Sequence, residues 1–238
     1  MRTADLAFFD FVRLVVSGPF DEVSRRVKGT PALATTSCEV GATRQAASDF
    51  FFSDIRHYVY GGDTALHMAA AAFRRPVARL LVAHGASCRA RNRRGAEPLH
   101  YAADANHWNP DAQAETIEYL TSVGANPNAV DSSGVAPLHR AVRTRSLAAV
   151  RALIDAGADP RQPNKAGSTP LHLAVQTTGR GGSGSEKARQ QQAGIVRFLI
   201  EHGARPTDRD GKGKQVYEAA TGDWIKRLLK EGAGSRRG

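Results

Sequence analysis

An eight-residue pattern recurs along the chain at a fixed spacing, and a spacing of this size decides the architecture before any single element does. Gly62-Asp63-Thr64-Ala65-Leu66-His67-Met68-Ala69 is echoed by Gly95-Ala96-Glu97-Pro98-Leu99-His100-Tyr101-Ala102 and by Gly134-Val135-Ala136-Pro137-Leu138-His139-Arg140-Ala141. The fullest copy is Gly167-Ser168-Thr169-Pro170-Leu171-His172-Leu173-Ala174. The four histidines stand 33, 39 and 33 residues apart, so a 33-residue unit recurs and the second unit carries six extra residues. A worn fifth copy spans Gly213 to Ala220, with Glu218 in the histidine's place. A second landmark follows in each unit: Leu80-Leu81 before Gly85, Tyr119-Leu120 before Gly124, Leu153-Ile154 before Gly157, Phe198-Leu199 before Gly203 and Leu228-Leu229 before Gly232. The intervals between those glycines are 39, 33, 46 and 29, which puts the insertions of the second and fourth units between their two landmarks.

Local chemistry explains why these letters return. Thr64 and Thr169 suit a helix N-cap, and a proline behind the cap is pre-set for the first helical position. Alanines after the Leu-His pair let a second helix approach, the later leucines give that helix an apolar face, and the following glycine suits a left-handed C-terminal residue. Asn92, Asp131, Asn164 and Asp210 each stand three residues before the next unit's glycine, which is turn chemistry. The unit is helix, helix, extended turn.

On these motifs, over residues 58 to 234, the sequence resembles the ankyrin-repeat proteins. The resemblance implies an all-α solenoid of stacked antiparallel helix pairs in L-shaped units, with hairpin-like fingers at right angles, acting as a binding scaffold without chemistry of its own. It departs from the family pattern at Ala65, where proline is usual, at Glu97 and Ala136, where threonine is usual, and in the fifth copy. The expected organisation is a divergent helical repeat with a long connecting loop over 1–57, four repeats at 58–90, 91–129, 130–162 and 163–207, and a polar capping repeat and tail over 208–238. In the first segment Leu6, Phe9, Val12 and Val16 mark one helical face, Gly18-Pro19 breaks it, and Val23 and Val27 mark a second short helix. Residues 30 to 57 form a connection whose Phe50-Phe51-Phe52 and Ile55 must fold onto something apolar, expected to be the end of the stack.

The motif positions Thr64, Leu66, His67, Pro98, Leu99, His100, Pro137, Leu138, His139, Thr169, Pro170, Leu171 and His172 are expected to be structural. Histidines at one equivalent position per unit are spread along a stack, whereas a metal needs ligands converging on one ion; the resemblance implies that they hydrogen-bond neighbouring turns. Candidates for partner contact lie elsewhere. The insertion in the second unit gathers Asp104, Asn106, His107, Trp108, Asn109 and Asp111, with Trp108 a possible rigid anchor. Arg140, Arg143 and Arg145 follow the third unit's first helix, and Arg180 sits in the fourth unit's glycine-rich insertion, ahead of a helix expected over about Glu186 to Glu201. These are expected to share one basic rim. Arg89, Arg91, Arg93 and Arg94 form a second group beside Lys165 and Arg209 on later fingers.

The 238 residues carry a net charge of +10, and nine of the ten excess positive charges lie beyond residue 129. That balance favours acidic partners. Cys38 and Cys88 are too few for a disulfide framework and lack metal-ligand spacing, which suggests a reducing, cytoplasmic setting. No apolar run is long enough to span a bilayer. The expected function is non-enzymatic recognition of an acidic protein segment by a monomer, with no cofactor. Nucleic acid is disfavoured because aromatics interleave poorly with the arginines. Two alternatives stay open: a polyanion or phosphate binder using Arg180 and its glycine-rich loop, and an enzyme using the His107 loop, for which no nucleophile or oxyanion donor is evident.

Overall fold

A computed structural model describes residues 3–43, 45–104, 109–176 and 185–234. Its helices are α1 (Thr3–Ser17), α2 (Phe20–Gly29), α3 (Ala65–Ala71), α4 (Arg75–Ala83), α5 (Pro98–Ala102), α6 (Pro110–Ser122), α7 (Pro137–Arg143), α8 (Leu147–Asp155), α9 (Pro170–Ala174), α10 (Glu186–Glu201), α11 (Val216–Ala219) and α12 (Asp223–Gly234). Two-residue strands β1 (Phe51–Phe52) and β2 (His57–Tyr58) pair antiparallel. Each odd-numbered helix packs on the next odd one and each even-numbered helix on the next even one, so the pairs stack in two layers. This is the expected all-α solenoid.

The core repeats with the sequence. Leu66, Leu99, Leu138 and Leu171 are buried in the first layer, and Leu81, Leu120, Leu153 and Leu199 in the second. Ala69, Ala102, Ala141 and Ala174 keep the layers close. The finger turns are built as their side chains require: one oxygen of Asn92, Asp131, Asn164 and Asp210 accepts two backbone N–H groups each, at 2.8 to 3.1 Å. Successive fingers are joined by backbone bonds, Arg93 N–H to Gly61 C=O, Ser132 to Arg94, Lys165 to Ser133 and Gly211 to Ala166. Gly134 and Gly167 have φ of 71° and 75°, and a Cβ at either would stand 2.7 Å or less from the next finger's backbone. Glycine is thus required twice over, for its conformation and for its lack of a side chain.

The motif histidines tie one unit to the next. Nδ1 accepts the backbone N–H of the N-cap residue three positions earlier, Thr64 for His67, Glu97 for His100, Ala136 for His139 and Thr169 for His172, at 3.1 to 3.2 Å. An N–H can only donate, so Nδ1 carries no proton and the neutral ring holds its hydrogen on Nε2. Nε2 then donates to the following finger, at Ala96, Val135, Ser168 and Lys214 C=O respectively, at 3.1 to 3.3 Å. In the last copy Glu218 accepts the Gln215 N–H at 2.7 Å. It reproduces the histidine's first bond where no further finger stands to receive the second among the described residues.

Three features correct or add to the sequence reading. Leu6 is 48% exposed, while Phe8, Phe11 and Val15 of α1 are buried alongside Phe9, Val12 and Val16; α1 packs on α3 and on its own connection, so it buries a broader face than one stripe. The connection does seat Phe50 and Phe52 against Phe9. It also runs along the first finger, bridging Ser37 to Thr64 and Gly41 to Tyr60. Finally, α5 and α9, which precede the insertions, are two residues shorter than α3 and α7. Buried Gln113 and Gln192, each seven residues before the second-landmark leucine, donate to Ala102 and Ala174 C=O at 2.8 and 2.7 Å and close the shortened ends. The equivalent residue of the first unit, Arg74, donates to Leu14 and Val15 C=O, both at 3.0 Å. It thereby caps α1 across the unit boundary.

Candidate functional site: a basic groove between fingers and first helices

The fingers of the first three units and the first helices α5 and α7 enclose a groove of about 680 Å³. Arg56, Tyr58 and Tyr60 line it from the first finger, Arg93 and Arg94 from the second, and Ser132 and Ser133 from the third. Its floor is Tyr101 and Asp104 at the end of α5 and Arg140, Arg143 and Thr144 on and after α7.

Tyr101 and Arg140 occupy the same motif position, directly after the histidine, in adjacent units. Stacking sets them side by side on the floor, where each organises a buried polar cluster. The Tyr101 hydroxyl donates to Asp63, 2.7 Å from both of its oxygens, and accepts from Asn92 at 2.9 Å; Asn92 also donates to Asp63. Burial, and then the Asp63 charge, push the Tyr101 phenol well above its usual range, so it stays protonated. Arg140 forks onto two carboxylates, Nη1 to Asp104 at 2.8 Å and Nη2 to Asp131 at 3.0 Å, the charge-assisted geometry that a guanidinium favours. Burial opposes ionisation of Asp104, but the His57 imidazole at 3.9 Å and the Arg140 and Arg143 guanidiniums outweigh it and hold the carboxyl below its ordinary value. Asp131 is lowered in the same way, burial being overcome by the Ser133 and Val135 N–H groups and by Arg140.

The consequence is electrostatic. Among the described residues the groove lining holds five arginines, Arg56, Arg93, Arg94, Arg140 and Arg143, against two carboxylates, Asp104 and Asp131. Both carboxylates lie low in the floor, with side chains 9% and 11% exposed, and are already engaged by Arg140. Arg143, with its side chain 62% exposed, reaches Asp104 only at 3.6 Å. Arg94 lies over the Tyr60 ring, 4.8 Å from its centroid, and Arg93 lies 5.8 Å from it while donating to Ala42 C=O; the ring face attracts both cations. The groove therefore presents guanidinium edges and phenol rings to solvent and keeps its acids beneath them.

The contact candidates divide accordingly. Arg93, Arg94, Arg140 and Arg143 come together in the groove, but Arg140 is an internal strut and not a rim group, because its fork is spent on Asp104 and Asp131. Arg145, at φ 59°, borders a separate hollow of about 70 Å³ with Leu173 and Ile195. Lys165 is exposed on the next finger, outside this lining. Arg89 and Arg91 bond to Gly124 and Val130 C=O of the next unit, so they brace the stack. Asn106, His107, Trp108 and Arg180 lie outside the described residues, as does the glycine-rich stretch 177–184. Arg56, Tyr58 and Tyr60 were missed as groove residues: Arg56 lies in the 30–57 connection, which was expected to cover the end of the stack, and Tyr58 and Tyr60 open the first repeat just after it. The signal that could have found them is the alternation of exposed Tyr58 and part-exposed Tyr60 around buried Val59.

Among the described residues no group of three or more His, Cys, Asp or Glu side chains could hold a metal ion, and no helix is long and apolar enough to cross a membrane. Cys38 is buried, and burial raises the Cys88 thiol above its ordinary range, the opposite of what a nucleophile needs. A family model described as ankyrin repeats (3 copies) matches residues 42–129 and 109–210, which together span well over half of the chain. With the stacked helix pairs, the bonded fingers and the recurring histidine tie, this shows that the chain belongs to the ankyrin-repeat family, whose repeats serve generally as protein–protein interaction modules.

Proposed function

We propose that the protein recognises an acidic segment of a protein partner in the groove between its fingers and first helices, without chemistry of its own. The observation that carries this reading is the separation of charge within the groove: guanidiniums and phenols at the solvent side, carboxylates beneath and already paired. A carboxylate-bearing segment entering here meets Arg94 and Arg143 before any acid, and forked guanidinium–carboxylate bonds supply geometry as well as attraction. Rim charges of this kind act strongly on encounter and salt dependence.

The test is binding of a fluorescent dodecapeptide of alternating Glu and Gly to the wild type and to an Arg94→Glu/Arg143→Glu variant, at low and at physiological salt. Both side chains are exposed, but Arg143→Glu sets a second carboxylate beside Asp104, so the variant should melt somewhat below the wild type while staying folded at the assay temperature, which its melting curve checks. The wild type should bind, more weakly as salt rises, and the variant should bind at least about tenfold less, equivalent to about 1.4 kcal/mol. Equal binding by the two proteins would reject the groove as the site.

A further inference from the structure

Residues of the first and second fingers divide the surface in two. On one side of Tyr58, Tyr60, Arg93 and Arg94 lies the basic groove; on the other is a second hollow of about 320 Å³, walled by the same four residues and closed by Ala42, Thr43 and Ala47. Its chemistry is different. Among the described residues the closing side chains carry only methyl groups and one hydroxyl, and the walls combine phenol rings with Arg93, which donates to Ala42 C=O, and Arg94, which lies over Tyr60. Phe51, 42% exposed, continues the aromatic row, with its ring 4.9 Å from Tyr58, which is in turn 6.4 Å from Tyr60. An apolar hollow thus shares a single wall with a basic groove.

We infer that the partner segment is not merely acidic but composite, with carboxylates in the groove and one neighbouring apolar side chain, leucine-sized or aromatic, seated in the hollow formed by Ala42, Thr43, Ala47, Tyr58 and Tyr60. The inference rests on the acidic-segment reading and names the second half of its recognition. Charge complementarity draws the segment in but tolerates many acidic sequences; a side chain that must enter an apolar hollow next to the arginines fixes the register. Rigid phenol walls give that contact area with little entropy to lose. An extended segment advances about 3.3 Å per residue, and the groove and the hollow share Tyr58, Tyr60, Arg93 and Arg94 as lining, so the apolar residue lies close in sequence to the carboxylates.

The test uses the Glu/Gly dodecapeptide and a set in which Leu or Trp replaces one residue at each position in turn, titrated against wild type, Ala47→Trp and Thr43→Trp. Either indole would fill the hollow from the protein's own side at a part-exposed position, and two sites guard against one variant failing to fold. At the best position the apolar residue should strengthen wild-type binding about tenfold or more. Both Trp variants should lose that gain while binding the Glu/Gly peptide as the wild type does. No gain at any position, or a gain that survives in both filled variants, overturns the composite site and leaves the acidic-segment reading standing. Failure of the Glu/Gly peptide and of every substituted peptide to bind the wild type overturns both.

Discussion

Replacing His100 by glutamine should make the protein less stable at neutral pH and more stable in mild acid, so that the two stability profiles cross. His100 is buried, with Nδ1 held by the Glu97 N–H and Nε2–H on the Val135 carbonyl. Burial, and then the Arg140 charge, lower its pKa from 6.5 to about 4. A histidine depressed on folding supports stability fully above its unfolded pKa, because below it the unfolded chain takes up a proton that the folded chain refuses. The support drains away as pH falls from 6.5 to about 4, in total about 3 kcal/mol at roughly 1.36 kcal/mol per unit, and about 2 kcal/mol of it is gone by pH 5. Glutamine at this helical position can still reach back to the N-cap N–H, much as Glu218 does in the last copy, but it cannot titrate. It loses the bond to Val135, about 1 kcal/mol. Urea unfolding followed by far-ultraviolet circular dichroism should therefore place His100→Gln about 1 kcal/mol below wild type near pH 7.5 and about 1 kcal/mol above it near pH 5. Parallel losses in the two proteins on acidification would show that this ring does not carry the acid sensitivity assigned to it.

Arg74→Ala should free the Leu14 and Val15 carbonyls and loosen α1 and α2 selectively. Hydrogen exchange there should quicken by a factor matching about 2 kcal/mol, with α5 to α10 unaffected, and uniform acceleration would contradict the local role. Gln113→Ala removes both the bond to Ala102 C=O and the one accepted from Ser146 Oγ at 2.6 Å. It should cost about 2 kcal/mol in denaturant unfolding; an unchanged midpoint would mean that the shortened end of α5 needs no closure. Glu97→Thr should stabilise by about 1 kcal/mol at neutral pH, because Glu97 Oε2 is buried without a hydrogen-bond partner among the described residues and burial raises this carboxyl. A raised carboxyl costs stability once it ionises, so the gain should shrink in acid; a gain that grew there would contradict the assignment.

The repeating half of this molecule was readable because its letters are fixed by chemistry within one unit. The Asx turns need only a side-chain oxygen at the right offset, and α10 begins and ends where expected because Ser185 caps it, accepting from Ala188 N–H, and Gly203 adopts φ 113° beyond its end. The groove was less readable because its decisive contacts cross units. Arg140 reads as a surface cation until Asp104, 36 residues earlier, is stacked beside it. Gln113 and Arg74 look like ordinary polar residues in helical stretches until the neighbouring helix ends are in place. The overall charge gradient even pointed away from the site, since the groove lies among residues 56 to 144 whereas most of the excess charge lies beyond 129. What matters locally is which acids are already paired, and a sum over sequence cannot register that.

Mapping amide chemical-shift changes in the isotopically labelled protein, as the Glu/Gly dodecapeptide is added, tests the recognition surface most directly. The account predicts that the shifts concentrate at Tyr58, Tyr60, Arg94, Ser132, Ser133 and Arg143, with the outer helices α4, α6 and α8 quiet. Shifts centred on those outer helices, or spread evenly over every exposed arginine, would contradict it.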